Sequence, residues 1–156
     1  MNEVNEITMK HIIYKTITRQ LENGNDFSLK IDGNSMLPFI KKGDIVFVQP
    51  KQNNFNFGDL VFIRWGDTYV VHRLLNKRKS LTKGDYLESF DPMDKELLCK
   101  VDYGSNRYCK FISIISYIQG TVNKYKKKKF KSRKIYALIK KLIGSADNDN
   151  KSKKAN

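Results

Sequence analysis

Four Gly-Asp pairs, Gly43-Asp44, Gly58-Asp59, Gly66-Asp67 and Gly84-Asp85, divide the middle of the chain into short apolar runs. Glycine adopts positive φ without a Cβ clash, and aspartate bonds back to nearby amides, so each pair reads as a turn. Runs bounded this closely suit strands better than helices. Phe27-Ser28-Leu29-Lys30-Ile31 alternates apolar and polar residues, whereas Ile45-Val46-Phe47-Val48, Leu60-Val61-Phe62-Ile63 and Tyr69-Val70-Val71 are unbroken apolar stretches. Read as half or fully buried strands, these runs make the middle of the chain mostly β.

The flanks follow other periods. Over residues 8–21 the apolar residues Met9, Ile12, Ile13, Ile17 and Leu21 recur at helical spacing, and Glu22-Asn23-Gly24-Asn25 supplies a stop. Residues 112–118 read as a late strand returning to the core, with Gly120-Thr121-Val122 at its end. Residues 135–143 read as a short basic amphipathic helix closed by Gly144, and residues 147–156 as disordered. The expected organisation is an N-terminal amphipathic helix (1–26), a β domain (27–122) and a basic tail with a short amphipathic helix (123–156). At 156 residues this is a single domain with appendages.

Charge separates the tail from the body. Residues 121–156 hold 13 Lys or Arg against Asp147 and Asp149, a net of +11 out of the chain's +14. A tail of this kind favours anionic surfaces, and peripheral contact with an anionic membrane is the expectation for it. Nucleic acid is not an expected partner, because the basic run has few interleaved aromatics and the body carries little net charge. Met1-Asn2-Glu3-Val4-Asn5-Glu6 has two acids and no apolar core, unlike a secretory leader, and residues 111–118 fall far short of the roughly 20 needed to span a bilayer. A cytoplasmic location is expected. Two cysteines, Cys99 and Cys109, do not amount to a disulfide framework, and neither a metal nor a cofactor is expected.

The segment Gly33-Asn34-Ser35-Met36-Leu37-Pro38-Phe39-Ile40 is the most suggestive chemically. Met36 and Leu37 can anchor a turn in the core while Pro38 stiffens it, leaving the Ser35 hydroxyl exposed at a fixed place. A serine hydroxyl becomes a useful nucleophile only beside a base and near donors for an oxyanion. Of the two histidines, His11 sits in the leading helix and reads as a surface or packing residue. His72 closes the run Tyr69-Val70-Val71, where a strand presents it at a fixed angle. Downstream carboxylates at Asp85 and Asp91 supply candidates to orient its imidazole.

Taken in order, Gly33-Asn34-Ser35-Met36-Leu37-Pro38, Gly43-Asp44-Ile45-Val46, Gly58-Asp59-Leu60-Val61, Val71-His72-Arg73 and Thr82-Lys83-Gly84-Asp85 resemble the type I signal peptidases and the related LexA-type self-cleaving peptidases. The resemblance spans residues 27–122 and makes Gly120-Thr121-Val122 similar to the family's last core strand. It implies a mainly β, antiparallel domain with the serine at a strand-turn junction. His72-Arg73 resembles the histidine branch of endoplasmic-reticulum, archaeal and sporulation-type enzymes. On that branch the resemblance implies Ser35 as nucleophile, His72 as general base and Asp91 or Asp85 as the acid. Two asparagines usually follow the Gly-Asp pair there, whereas Tyr86 and Leu87 follow it here. Asp85 lies in a turn where its carboxylate can cap amides; Asp91 precedes Pro92, which biases its backbone to an extended conformation and frees its side chain, so Asp91 is favoured. If the base were a lysine, Lys77 or Lys79 would be nearest in chain order. The implied activity is a serine endopeptidase that cleaves a leader or precursor peptide. The alternative is a catalytically inactive peptide-binding module of the same fold.

Overall fold

The computed structural model describes residues 3–104 and 109–126, with side chains for 8–104 and 111–124. The chain opens with a 21-residue helix, α1 (Glu3–Asn23), longer than its apolar period indicates. Gly24 ends it, at φ 68° and with its N–H donating to Leu21 O, the left-handed cap that glycine adopts without strain.

Six strands follow: β1 (Phe27–Lys30), β2 (Ile45–Gln49), β3 (Leu60–Trp65), β4 (Thr68–Asn76), β5 (Leu81–Lys83) and β6 (Glu96–Asp102). They form one sheet in the order β1-β2-β6-β3-β4-β5, with every neighbouring pair antiparallel. The fold is therefore mainly antiparallel β: the alternating and apolar runs indicate the strands, and the resemblance implies their antiparallel arrangement. Gly43 and Gly58 sit at φ 95° and Gly66 at φ 56°, so these three Gly-Asp pairs are turns that need glycine. In two of them the aspartate caps the turn: Asp44 accepts from the Lys41 amide and Asp59 from the Asn56 amide.

The unbroken run in β3 is explained by burial on both faces of the sheet. Leu60 and Phe62 join Val46, Val48, Val71 and Val101 in the main core, while Val61 and Ile63 pack with Leu74 on the opposite side. Helix α1 lies on the main-core face. Ile17 is buried there, Tyr14 stacks on Tyr69 at 5.1 Å between ring centroids, and Tyr69 stacks in turn on Phe62 at 5.2 Å.

Residues 112–118 depart from expectation: they belong to a helix, α2 (Cys109–Lys126), which also contains Gly120, Thr121 and Val122. The buried positions are Ile112, Ser113, Ser116, Gln119 and Gly120, a helical spacing, whereas Phe111, Ile114, Tyr117 and Ile118 are exposed. Apart from Ile112 the inward face is small or polar, and four large apolar residues face outward, so hydrophobicity alone pointed to the wrong period. The amphipathic helix expected over residues 135–143 and the tail over 147–156 lie outside the described residues.

Candidate active site

Ser35 sits in a tight turn immediately after β1. Successive main-chain bonds wind it, from the Leu37 amide to Asn34 O and from the Phe39 and Ile40 amides to Met36 O. Met36 and Ile40 are almost fully buried and pin the turn to the main core, and the Leu37-Pro38 peptide is cis. Ser35 itself is half-buried. Its carbonyl accepts from the Tyr86 amide at 2.8 Å, tying the turn to the segment after β5. That approach requires Gly84, since a Cβ there would stand 2.7 Å from Ser35 O. Unlike the other three pairs, Gly84-Asp85 thus owes its glycine to close packing.

His72, buried in β4 opposite Val61, reaches Ser35 Oγ with Nε2 at 3.0 Å and Asp91 Oδ2 with Nδ1 at 2.8 Å. Asp91 is also buried, and its Oδ2 accepts a 2.5 Å bond from the Thr82 hydroxyl. Its own amide donates to Thr82 O, so β5 fixes both ends of the residue. Burial pushes the Asp91 carboxyl up, but the bond and charge of His72, the Thr82 hydroxyl and the charge of Lys95 together outweigh it and hold the group below the usual carboxylate range. An ionised carboxylate only accepts, so the Nδ1 proton stays on His72 and Nε2 is left to accept from Ser35. This is the arrangement in which an imidazole takes up a hydroxyl proton while a carboxylate steadies the resulting cation.

The other candidate acid is engaged elsewhere. Arg73 Nε donates to Asp85 Oδ1 at 2.9 Å and Nη2 to Oδ2 at 2.7 Å, with both side chains fully enclosed. Nη1 reaches Gly58 O at 2.9 Å, so the pair locks β4 to the start of β3. Asp85 therefore balances a buried guanidinium, a different structural role from capping turn amides. Among the lysines, Lys77 is exposed and bonded to Asn54, and Lys79 is exposed in the β4–β5 turn; neither is hydrogen-bonded to Ser35.

Lys83 and Thr82 stood in the sequence only as parts of a motif. Lys83 is fully buried, donating to Gly84 O at 3.0 Å and Gln119 Oε1 at 3.2 Å. Burial pushes its ammonium down from 10.5 to about 8, against the attraction of Asp85 and Asp91 and with repulsion from Arg73. Between those values the unfolded chain keeps a proton that the folded chain has released, so this group makes stability rise with pH across the window. Lys83→Met removes the titration. Urea unfolding of both proteins from pH 8 to 10.5 should show wild type gaining on the variant by roughly 3 kcal/mol. A constant difference across that range would count against a buried, titrating ammonium.

Beside Ser35 lies an open cavity of about 230 Å³, lined chiefly by Leu29, Ile31, Met36, Tyr69 and Val71, with Ile13 and Ile17 of α1 on its wall. It lies between β1, an edge strand, and the first half of β4. Because β5 pairs only with residues 73–76 of β4, no described strand occupies that side of Tyr69, Val70 and Val71. Among the described residues no cluster of His, Cys, Asp or Glu could hold a metal ion, and no helix is long and apolar enough to cross a membrane.

Compared with known families, the chain matches the one described as Peptidase S24-like over residues 3–107, about two thirds of its length. The chain belongs to the Peptidase S24-like family. No curated protein and no solved structure matches it. The Peptidase S24-like match takes in Ser35, His72, Asp85 and Asp91 along with α1 and the whole sheet, and it stops before α2. The fold is thus serine peptidase-like, with α2 added beyond the matched region.

Proposed function

We propose that the protein is a serine endopeptidase that cleaves a leader or precursor peptide, working as in the histidine branch of the signal peptidases. The continuous hydrogen-bonded series from Ser35 Oγ through His72 to the Asp91 carboxylate, with the serine beside an apolar cavity, carries this reading. In the proposed mechanism His72 Nε2 takes the Ser35 proton as Oγ attacks the scissile carbonyl. The imidazolium then gives that proton to the leaving amine, and the acyl-serine is hydrolysed by water activated at the same nitrogen. Asp91 holds the tautomer and stabilises the cation, and Thr82 holds Asp91. The unpaired strand edges beside the cavity support binding of the substrate as an added extended strand with an apolar side chain in the cavity.

Mass spectrometry of a peptide library incubated with wild type and with Ser35→Ala tests the reading. New termini found only with wild type are expected, and their sequences define the specificity. A library left intact by wild type, with binding retained, would favour the inactive peptide-binding module.

For the basic tail, we propose peripheral contact with an anionic membrane, supported by the charge of residues 121–156 and by exposed Phe111, Ile114 and Ile118 on α2. Co-sedimentation with anionic vesicles should be strong at low salt and lost at high salt. Recovery only in the supernatant at low salt would exclude it.

A further inference from the structure

Asp91 lies eight residues beyond β5, in a segment held by three main-chain bonds among the described residues: Tyr86 N–H to Ser35 O, Leu87 N–H to Gly84 O and Asp91 N–H to Thr82 O. None of these bonds reaches residues 88–90, and α2 makes four attachments to the segment within seven residues of its own length. Gln119 Oε1 accepts from Lys83 at the start of the segment. Gly120 lies against the Phe90 ring so closely that a Cβ would stand 2.5 Å from it. Asn123 Nδ2 donates to Glu88 O at 2.6 Å, and Tyr117 packs on Phe90 at 6.2 Å between ring centroids. The attached residues, Lys83, Glu88 and Phe90, bracket the approach to Asp91.

We propose that α2 is a clamp for the site, with Gln119 and Gly120 as positioning residues that keep the Asp91 carboxylate on His72. The inference rests on the reading of Ser35, His72 and Asp91 given above and assigns a role in it to a helix outside the family match.

Two physical arguments carry it. The first is steric: Phe90 adjoins Asp91, so the depth to which its ring settles sets the path of the acid's backbone. Only a residue without a side chain at position 120 lets the ring settle this far. The second is electrostatic. The Lys83 ammonium is enclosed with two carboxylates attracting it, Asp85 and Asp91, and with Arg73 repelling it. Arg73 engages both oxygens of Asp85, while among the described residues the Asp91 carboxylate is hydrogen-bonded to His72 and Thr82, with Lys95 as another nearby cation. A buried ammonium without a neutral acceptor turns to the nearest carboxylate, because leaving it unpaired in a low-dielectric interior is costly. Lys83 has two neutral acceptors, Gly84 O beside it in the chain and Gln119 Oε1, and Gln119 is the one that α2 supplies. It keeps Lys83 off Asp91 and so leaves the carboxylate to the imidazole.

The test uses the full chain and four variants: Gly120→Val, Gln119→Leu, Gln119→Glu and Asn123→Ala. The readouts are peptide cleavage and the low-field Nδ1 proton resonance of His72, assigned by its absence from His72→Ala. Gly120→Val should lower kcat on the order of a hundredfold and Gln119→Leu about tenfold, each with KM little changed, since misplacement of a catalytic group by about 1 Å has effects of this size. The His72 resonance should broaden or shift in both. Gln119→Glu restores an acceptor for Lys83 and should recover both kcat and the resonance. If Gly120→Val does not fold, Gln119→Leu and Asn123→Ala carry the test through the same resonance. Folded variants with an unshifted resonance and unchanged kcat would overturn the clamp. If wild type cleaves no peptide, the peptidase reading falls, yet the resonance still decides whether α2 holds Asp91 on His72.

Discussion

Ser35→Ala and His72→Ala are each expected to lower peptide cleavage on the order of a thousandfold or more, and the double variant should be no worse than either. A hydroxyl and the imidazole that deprotonates it act as one unit, so removing the second after the first removes nothing further. The two variants differ in their cost to the fold. Ser35 is half-buried, and its tie to Tyr86 runs through its carbonyl, which alanine keeps. Ser35→Ala should therefore melt close to wild type. His72 is buried, and its loss opens a space beside Val61 and takes a donor from Asp91, so some stability goes with it. Cleavage by Ser35→Ala at a rate comparable to wild type would end the serine mechanism.

Much of the fold was legible because the physics that builds it is local. A glycine that must take positive φ and an aspartate that caps an amide three residues earlier leave their signature within four residues: Gly43-Asp44 and Gly58-Asp59 do both, and Gly66 takes the positive φ. Strand periodicity is equally local, and β1 to β4 lie where the apolar runs are. Gly84-Asp85 has the same two letters and a different cause. Its glycine answers to Ser35 O, 49 residues earlier in the chain, and its aspartate to Arg73 on a neighbouring strand. No window of sequence contains those partners.

Helix α2 shows the complementary failure. Its buried face holds Ser113, Ser116, Gln119 and Gly120 with Ile112 as the one large apolar residue among the described buried positions, while Phe111, Ile114, Tyr117 and Ile118 are exposed. A pattern read from hydrophobicity follows the large residues and so misses the packing. Gln119 escaped notice for the same reason: its importance lies in Lys83, whose burial becomes visible only once the sheet is assembled. Ser35, His72, Asp85 and Asp91 stood out as candidates from motif order. How the carboxylates divide between an imidazole and a guanidinium depends on geometry across β4, since adjacent residues of the strand, His72 and Arg73, each take one.

That division yields the second large effect. Asp91→Asn is expected to lower turnover on the order of a thousandfold, because an amide next to Nδ1 no longer enforces the tautomer that leaves Nε2 free, and it carries no charge to steady the imidazolium. Its effect on folding should be smaller. An asparagine oxygen still accepts one of the two bonds that Asp91 Oδ2 receives, although the stability drawn from a carboxyl held below its usual range is lost. In wild type that contribution is present above the ordinary carboxylate pKa of 3.8 and fades as the pH falls below it through the lowered value. Asp85→Asn should show the reverse balance. It removes the counter-charge of a fully enclosed guanidinium, a change that typically destabilises by about 3–5 kcal/mol and should lower the melting temperature by roughly 10 °C or more. The folded fraction of Asp85→Asn keeps Ser35, His72 and Asp91 bonded to one another, so its turnover per folded molecule should fall far less. Melting temperature and kcat measured on both variants separate the two roles. A stable, inactive Asp85→Asn beside an unstable, active Asp91→Asn would transfer the acid's role to Asp85.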